Sequence, residues 1–145
     1  MDEMKNQLCL EVERCSEPWV ELSDRIHANP ETNFCEVKAA RWLCDGFRQL
    51  GFSVETGAAE IGTAFIARLK GRDTGPKIGI LIEYDAIEGM GHACAHNTKG
   101  PAVLAGVQAF LRLFPVFRGE IIAYGCPAEE GGGGKILMSN AGVFQ

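Results

Sequence analysis

The sequence predicts an α/β fold in which helices cover both faces of a sheet. Two apolar segments, 77–84 and 120–126, have the length of strands, and residues 98–114, rich in Ala, Val and Leu, have the length of a helix. The first segment is apolar almost without interruption, which is typical of a strand covered on both faces. Strand, helix and strand in this order predict a βαβ unit with two parallel neighbouring strands.

The N-terminal half is predicted to be helical at first and extended later. Residues 3–28 carry apolar side chains at helical spacing, but Pro18 interrupts them, which implies either a kink or two helices. A further helix is predicted over 35–50 and ends at Gly51. Strands are predicted over 52–55 and 63–69, a turn-rich loop over 71–76, and a last helix over 135–140.

Composition and charge indicate which partners and which cellular location to expect. The 145 residues fit one domain, and 46% apolar with 23% charged residues is an ordinary globular mixture. A net charge of −5 gives no basic surface for nucleic acid. No apolar run approaches the roughly 20 residues that span a bilayer. The acidic start does not resemble a secretory signal, and the six scattered cysteines form no CxxC pair, so a cytoplasmic protein with reduced thiols is expected.

Polar residues follow the first strand of the βαβ unit, at the sheet edge where open α/β folds bind ligands. Cys94 and His96 lie two residues apart in this loop, so in an extended segment both side chains point to the same side. A thiolate and an imidazole are both good ligands for zinc and similar metals. The alternative is a buried thiol beside a hydrogen-bonded histidine, and spacing alone does not decide between the two.

Paired carboxylates follow the second strand. One of Glu129 and Glu130 could bind a metal while the other takes a proton from a metal-held water; alternatively, both are solvated loop residues. Asp85, at the end of the first strand, either orients a histidine ligand or serves as a turn residue. If the strands are parallel neighbours, these loops face each other.

The motifs also match a known pattern. Residues 91–97 read Gly-His-Ala-Cys-Ala-His-Asn, preceded by Glu-Tyr-Asp-Ala-Ile and followed by Pro-Ala-Glu-Glu-Gly-Gly-Gly-Gly. The chain thereby resembles metallopeptidase family twenty, the aminoacylase and carboxypeptidase-like family. The likeness is to its amidohydrolase branch, which includes hippurate hydrolase, auxin-conjugate hydrolases, aminobenzoyl-glutamate hydrolase and the β-alanyl-lysine type dipeptidase. It covers almost the whole chain and implies a three-layer, zinc-exopeptidase-like sheet with helices on both faces.

The resemblance also implies roles and cofactors. Cys94, His96 and Glu130 match metal ligands of that branch, and Glu129 matches its catalytic general base. The family implies two divalent ions (zinc, manganese or cobalt) and hydrolysis of an amide or peptide bond in N-acyl amino acids or dipeptides by metal-bound water. It places further histidine ligands and a dimerisation (lid) domain later in the chain. Residues 1–145 are therefore expected to be the N-terminal part of a catalytic domain without the lid, and to form a homodimer only with that domain present.

Two rival interpretations and one departure from the family remain. Cys94 could be the nucleophile of a thiol enzyme, but its base would then normally come from another element than the loop that holds His96. A truncated, non-catalytic fragment or pseudoenzyme with a partial metal site is the stronger rival, because only three candidate ligands are present. Ala95 stands where the family usually has glycine, and a Cβ there is expected to strain a turn that needs positive φ.

Overall fold

A computed structural model describes residues 2–145 of the protein. The α-helices are α1 (Asp2–Cys15), α2 (Glu17–His27), α3 (Val37–Gln49), α4 (His96–Leu113) and α5 (Gly134–Asn140). The strands are β1 (Ser53–Thr56), β2 (Phe65–Lys70), β3 (Asp73–Ile82) and β4 (Arg118–Gly125), and a short 3-10 helix covers Ala58–Glu60. No helix of the described residues is long and apolar enough to cross a membrane.

The predicted βαβ unit is confirmed. β3 and β4 are parallel neighbours, with Ile78 opposite Ile121 and Ile82 opposite Gly125, and α4 connects them in the chain. β2 pairs antiparallel with β4 on its other side, and β1 pairs antiparallel with β2, so the mixed sheet has the order β1-β2-β4-β3. Because β3 and β4 run in the same direction and in register, the loops that follow them leave from the same edge of the sheet.

Alternating side chains of the central strands supply two separate cores, as expected for a pleated sheet. Phe65 and Ala123 belong to the larger core, which also contains residues of α2, α3 and α4. Ile66 and Ile122 belong to a smaller core on the opposite face, together with Met138 of α5. Helices therefore lie on both faces of the sheet, and the predicted three-layer α/β class is confirmed.

Pro18 marks a break between two helices. α1 ends at Cys15, Ser16 separates the elements, and Pro18 lies in the first turn of α2. A proline is tolerated there because backbone N–H groups of the first turn have no partner within the helix. Of the two sequence-based alternatives, the structure shows two helices.

The predicted loop over 71–76 is largely strand. β3 begins at Asp73, whose partner in β4 is Arg118, and the register shifts between Asp73 and Lys77. A Cβ added to Gly119 would come within 2.0 Å of the backbone oxygen of Pro76, so β4 approaches this segment too closely for any other residue. The glycines and the proline that suggest a loop in the sequence therefore mark an irregular, closely packed strand end.

Candidate metal centre

The two polar loops meet at the carboxyl edge of β3 and β4. The backbone N–H of Glu130 donates to Asp85 Oδ2 at 2.8 Å, which connects the loop after β4 to the loop after β3. Close by, the backbone N–H of Cys126 donates to the carbonyl of Ile82 at 2.8 Å, so the parallel pairing continues into the loops. The convergence expected from the βαβ unit is therefore present.

Asp85, His96 and Glu130 form a line of three contacting side chains. Asp85, 1% exposed, places Oδ1 2.9 Å from His96 Nδ1, and His96 Nε2 lies 3.5 Å from Glu130 Oε1. A carboxylate only accepts hydrogen bonds, so Nδ1 carries the proton and the Nε2 lone pair of a neutral ring points towards Glu130. Two electron-rich atoms facing each other at this distance suit a cation between them.

Cys94 lies at the exposed side of the same group. It belongs to the loop immediately before α4, two residues ahead of His96. Side-chain hydrogen bonding to the Glu130 carboxylate raises the pKa of the Cys94 thiol above its ordinary value. Cys94 and His96 therefore both lie beside Glu130, but a left-handed turn at Ala95 separates them instead of the extended segment expected from their spacing.

Glu129, next to Glu130 in the chain, forms an ion pair with a lysine. Its Oε1 lies 3.1 Å from Nζ of Lys135, in the first turn of α5. Lys135 also contacts Oε1 of Glu83, and Lys99 of α4 contacts the second oxygen of Glu83 at 2.6 Å. The predicted general base thus belongs to a network of two lysines and two glutamates beside the candidate ligands.

Glu83 is the buried centre of this network, with a side chain only 8% exposed. Burial alone would raise the pKa of its carboxyl, but hydrogen bonds from Lys135 and Lys99 outweigh burial and lower that pKa to about 2. Sequence reasoning did not single out Glu83, Lys99 or Lys135. The available signal was a charged residue directly after an apolar strand, at the same sheet edge as Asp85.

Glu36 is a second buried carboxylate that sequence reasoning missed. It is fully buried and accepts hydrogen bonds from the backbone N–H groups of Phe34 at 3.1 Å and Ala128 at 3.0 Å, and from the Thr63 hydroxyl at 3.3 Å. Burial raises the pKa of Glu36. Since Ala128 precedes Glu129, Glu36 fixes the backbone on one side of the glutamate pair, while Asp85 fixes it on the other.

The backbone at Ala95 is left-handed, with φ 58° and ψ 27°, directly before α4. The positive φ that the resemblance to the family implied is therefore present in this chain, and it is adopted by a residue with a Cβ. The conformation turns the chain between Cys94 and His96, so the strain falls at the position that sets the relative placement of these two side chains.

The other two histidines lie apart from the line of contacts described above. His92 is 8% exposed, its ring nitrogens have no hydrogen-bond partner among the described residues, and burial lowers its pKa. Its ring centroid lies 6.1 Å from that of His27, at the end of α2. His27 is exposed.

Known proteins resemble this chain in sequence and in fold. A subunit of the p-aminobenzoyl-glutamate hydrolase of Escherichia coli is 33% identical over 153 residues, covering 92% of this chain and 31% of the relative. Human Xaa-Arg dipeptidase is 44% identical over 72 residues, 46% of this chain and 16% of the relative. A dinuclear metal-binding peptidase of the M20 family from Bacillus subtilis superimposes with a TM-score of 0.77 at 23% identity, over 90% of this chain and 40% of that protein. No protein-family model matches the chain.

The chain's resemblance to the M20 metallopeptidases, family twenty, is confirmed. The chain spans about a third of the length of the curated relatives that it matches, 31% and 37% for two of them. The relatives are hydrolases by name, and the M20 neighbour shares the α/β fold of this chain.

The side chains of the candidate site match a metal centre in the kind of donor but less well in the number of donors. Thiol, imidazole and carboxylate are the groups that bind zinc. The His96–Glu130 separation of 3.5 Å lies within the roughly 3–5 Å expected between donors that share one ion, given metal–ligand distances of about 2.0–2.3 Å. Within residues 2–145, however, no group of three His, Cys, Asp or Glu side chains is arranged to hold a metal ion. The convergence of Cys94, His96 and Glu130 on one point therefore stays a prediction.

Proposed function

We propose that this chain supplies part of a metal-dependent site that hydrolyses an amide or peptide bond in N-acyl amino acids or dipeptides. The observation that carries the proposal is the line from Asp85 through His96 to Glu130, because Asp85 holds the ring of His96 so that Nε2 faces the Glu130 carboxylate at 3.5 Å. The hydrolase names of the relatives support the reaction class.

Each residue of the site has a distinct role in this proposal. Cys94, His96 and Glu130 would hold a divalent ion such as zinc, manganese or cobalt. When bound, the metal lowers the pKa of water and polarises a carbonyl oxygen. Glu129 takes the proton of the attacking water and delivers it to the leaving amine. Asp85 accepts a hydrogen bond from the Nδ1–H of His96 and so fixes the ring with Nε2 free.

A thiol mechanism is less well supported. A nucleophilic cysteine needs a lowered pKa, usually from a neighbouring cation. The group beside Cys94 is the Glu130 carboxylate, and it raises the pKa of the thiol instead. Thiolate formation at Cys94 therefore needs a cation to compensate for Glu130, which is what a metal ligand role provides.

A second candidate is a non-catalytic chain that binds metal weakly through a partial site. It is favoured by one observation, the lack of a three-donor group within residues 2–145. In the first candidate, a small substrate is the partner and the two-ion centre of the family needs ligands beyond this stretch of chain. A cytoplasmic setting suits both candidates, since all six cysteines are unpaired.

Metal binding by this chain tests the proposal directly. We expect zinc, manganese or cobalt to bind at one site by calorimetry and elemental analysis, and His96→Gln to abolish that binding. Asp85→Asn should weaken the affinity by about 10- to 100-fold, the range typical of residues that orient a metal ligand. His27→Gln is the matched control, because it removes an exposed histidine outside the line of contacts.

Two outcomes would contradict the metal site. One is a stoichiometry unaffected by His96→Gln. The other is binding that disappears with His27→Gln, which would place the ion elsewhere. Parallel measurements on a version of the chain extended downstream separate the two candidates, because only the first expects a second ion to bind to the longer protein.

A further inference from the structure

The backbone around Glu129 is held on both sides by buried carboxylates. Glu36 accepts the N–H of Ala128 at 3.0 Å, and Asp85 accepts the N–H of Glu130 at 2.8 Å. Position 129 therefore has little backbone freedom, although three glycines follow Glu130 in the loop. What these contacts leave free is the Glu129 side chain, whose χ angles decide where its carboxylate lies.

Lys135 is the charged partner of that side chain. Its Nζ lies 3.1 Å from Glu129 Oε1, and the same Nζ contacts Glu83 Oε1. Glu83 is anchored in turn, because it directly follows β3 and its side chain is 8% exposed. The lysine is therefore held by a rigid, buried carboxylate on one side and presents its remaining hydrogen-bonding capacity to Glu129.

Lys99 and Lys135 share one ion-pair partner but differ in their contact with Glu129. Lys99 contacts the other oxygen of Glu83 at 2.6 Å, so both lysines neutralise the same buried charge. Its ion pairs among the described residues do not include Glu129. The structure therefore separates two functions: Lys99 and Lys135 together compensate Glu83, and Lys135 alone reaches the predicted base.

We infer that Lys135, anchored by Glu83, is a positioning residue that fixes the carboxylate of Glu129 for proton transfer. The inference rests on the proposed function, in which Glu129 is the general base. Lys135 itself takes no part in bond making: it restricts the rotamers of Glu129, so that one carboxylate oxygen stays on the ammonium and the other is available to accept a proton. A base held in this way loses less conformational entropy on reaching the transition state.

The contact is testable in this chain without any activity. NMR of the lysine ammonium groups in the full 145-residue protein should show that Glu129→Gln shifts the Lys135 signal and leaves the Lys99 signal unchanged. Glu130→Gln is the matched control, because it alters the neighbouring carboxylate, which faces His96 instead. A Lys135 signal insensitive to Glu129→Gln would overturn the inference.

The positioning role is testable in a full-length relative that carries the same residues. Lys135→Met should lower kcat about 10- to 100-fold with little change in KM, as expected for a misplaced catalytic group. Lys135→Arg should recover part of that loss. Lys99→Met removes the other lysine that neutralises Glu83, so it controls for destabilisation and should lower kcat much less than Lys135→Met does.

The possible failures are distinguishable. Equal losses of kcat in Lys135→Met and Lys99→Met would assign the effect to Glu83 and the fold, and the positioning role would be wrong. Full activity of Glu129→Gln in the same relative would instead remove the base from the proposed function, and with it the purpose of the contact, even if the NMR signals show that the contact exists.

Discussion

At the scale of single residues, the backbone of Ala95 is the clearest departure from an unstrained structure. Its φ of 58° is left-handed, which costs an L-residue roughly 1–2 kcal/mol, whereas glycine adopts it freely but loses about 0.5–1 kcal/mol of chain entropy on folding. We therefore expect Ala95→Gly to raise the free energy of unfolding by about 0.5–1 kcal/mol, measured by urea denaturation at neutral pH.

The same substitution elsewhere in the region provides the control. Ala102 is exposed within α4, where glycine costs roughly 1 kcal/mol relative to alanine, so Ala102→Gly should destabilise the chain. Opposite signs for the two variants would identify backbone conformation as the cause. If both variants lowered stability equally, the left-handed conformation of Ala95 would not be a source of strain in solution.

The lowered pKa of Glu83 predicts how the stability of the fold changes at acid pH. The pKa is lowered from the ordinary 4.5 to about 2 in the folded protein, so the ionised form stabilises the fold above about pH 4.5. This contribution, on the order of 3 kcal/mol at most, is lost as the pH falls from about 4.5 towards 2. Urea unfolding at pH 7, 4 and 3 should show a steep decline in the parent and a shallower one in Glu83→Gln.

An exposed glutamate controls for the change in net charge. Glu21 lies on the surface of α2, so Glu21→Gln should keep the steep acid decline of the parent. If Glu83→Gln retained the full decline too, carboxylates other than Glu83 would dominate acid unfolding, and the compact lysine–glutamate network would not govern it.

Sequence spacing predicts some of these residues and misses others for a physical reason. Cys94 and His96 are two positions apart, so the sequence places them in one loop, although the left-handed turn at Ala95, and not an extended segment, sets their relative orientation. Glu36 and Ala128 lie 92 positions apart, and Glu83 and Lys135 lie 52 apart, so these contacts exist only through the packing of whole elements. A single sequence carries no local signal for such pairs.

At the scale of elements, the close packing of α3 against α4 depends on Gly100. A Cβ at this position would come 2.3 Å from Cδ2 of Leu43, which is fully buried, so the surrounding core must shift. Overpacking of this kind costs typically 1–3 kcal/mol, of which better helix propensity recovers up to about 1. Gly100→Ala should therefore lower the free energy of unfolding by roughly 1–2 kcal/mol in chemical denaturation.

Gly106 lies in the same helix and tests the explanation. A Cβ there would meet no atom within 4 Å, so Gly106→Ala gains helix propensity at no steric cost and should stabilise the chain by about 0.5–1 kcal/mol. A destabilising Gly106→Ala would mean that α4 itself, and not its contact with Leu43, is sensitive to the substitution.

The elements themselves follow from the sequence more closely than their ends do. Apolar runs and helical spacing identify the strand–helix–strand order, because burial on the sheet imposes those patterns locally. The start of β3 at Asp73 cannot be predicted from the sequence, since it depends on the close approach of Gly119 from β4. The glycines and the proline of 71–76 predict a loop when the segment is considered alone. The same residues fit an irregular strand when β4 lies beside them.

At the scale of the whole molecule, the ligand set limits what this stretch of chain does alone. A two-ion centre, with ions about 3.5–4 Å apart, needs more donors than Cys94, His96 and Glu130, and no three-donor group is formed within residues 2–145. We therefore expect the 145-residue chain to show no appreciable hydrolysis of N-acyl amino acids or dipeptides with added zinc, manganese or cobalt. Robust, chelator-sensitive turnover by this chain would show that its ligand set is sufficient.

A full-length relative with the same motifs should be active under those conditions, because the rest of its length can complete the ligand set and shield the substrate from water. There, Glu129→Gln should lower kcat by about 10²–10⁴-fold, the usual contribution of a general base. Glutamine keeps the shape of glutamate but cannot accept the proton of water, so metal content by elemental analysis should stay unchanged. Loss of metal together with activity would instead place Glu129 among the ligands, and unchanged activity would show that another group is the base.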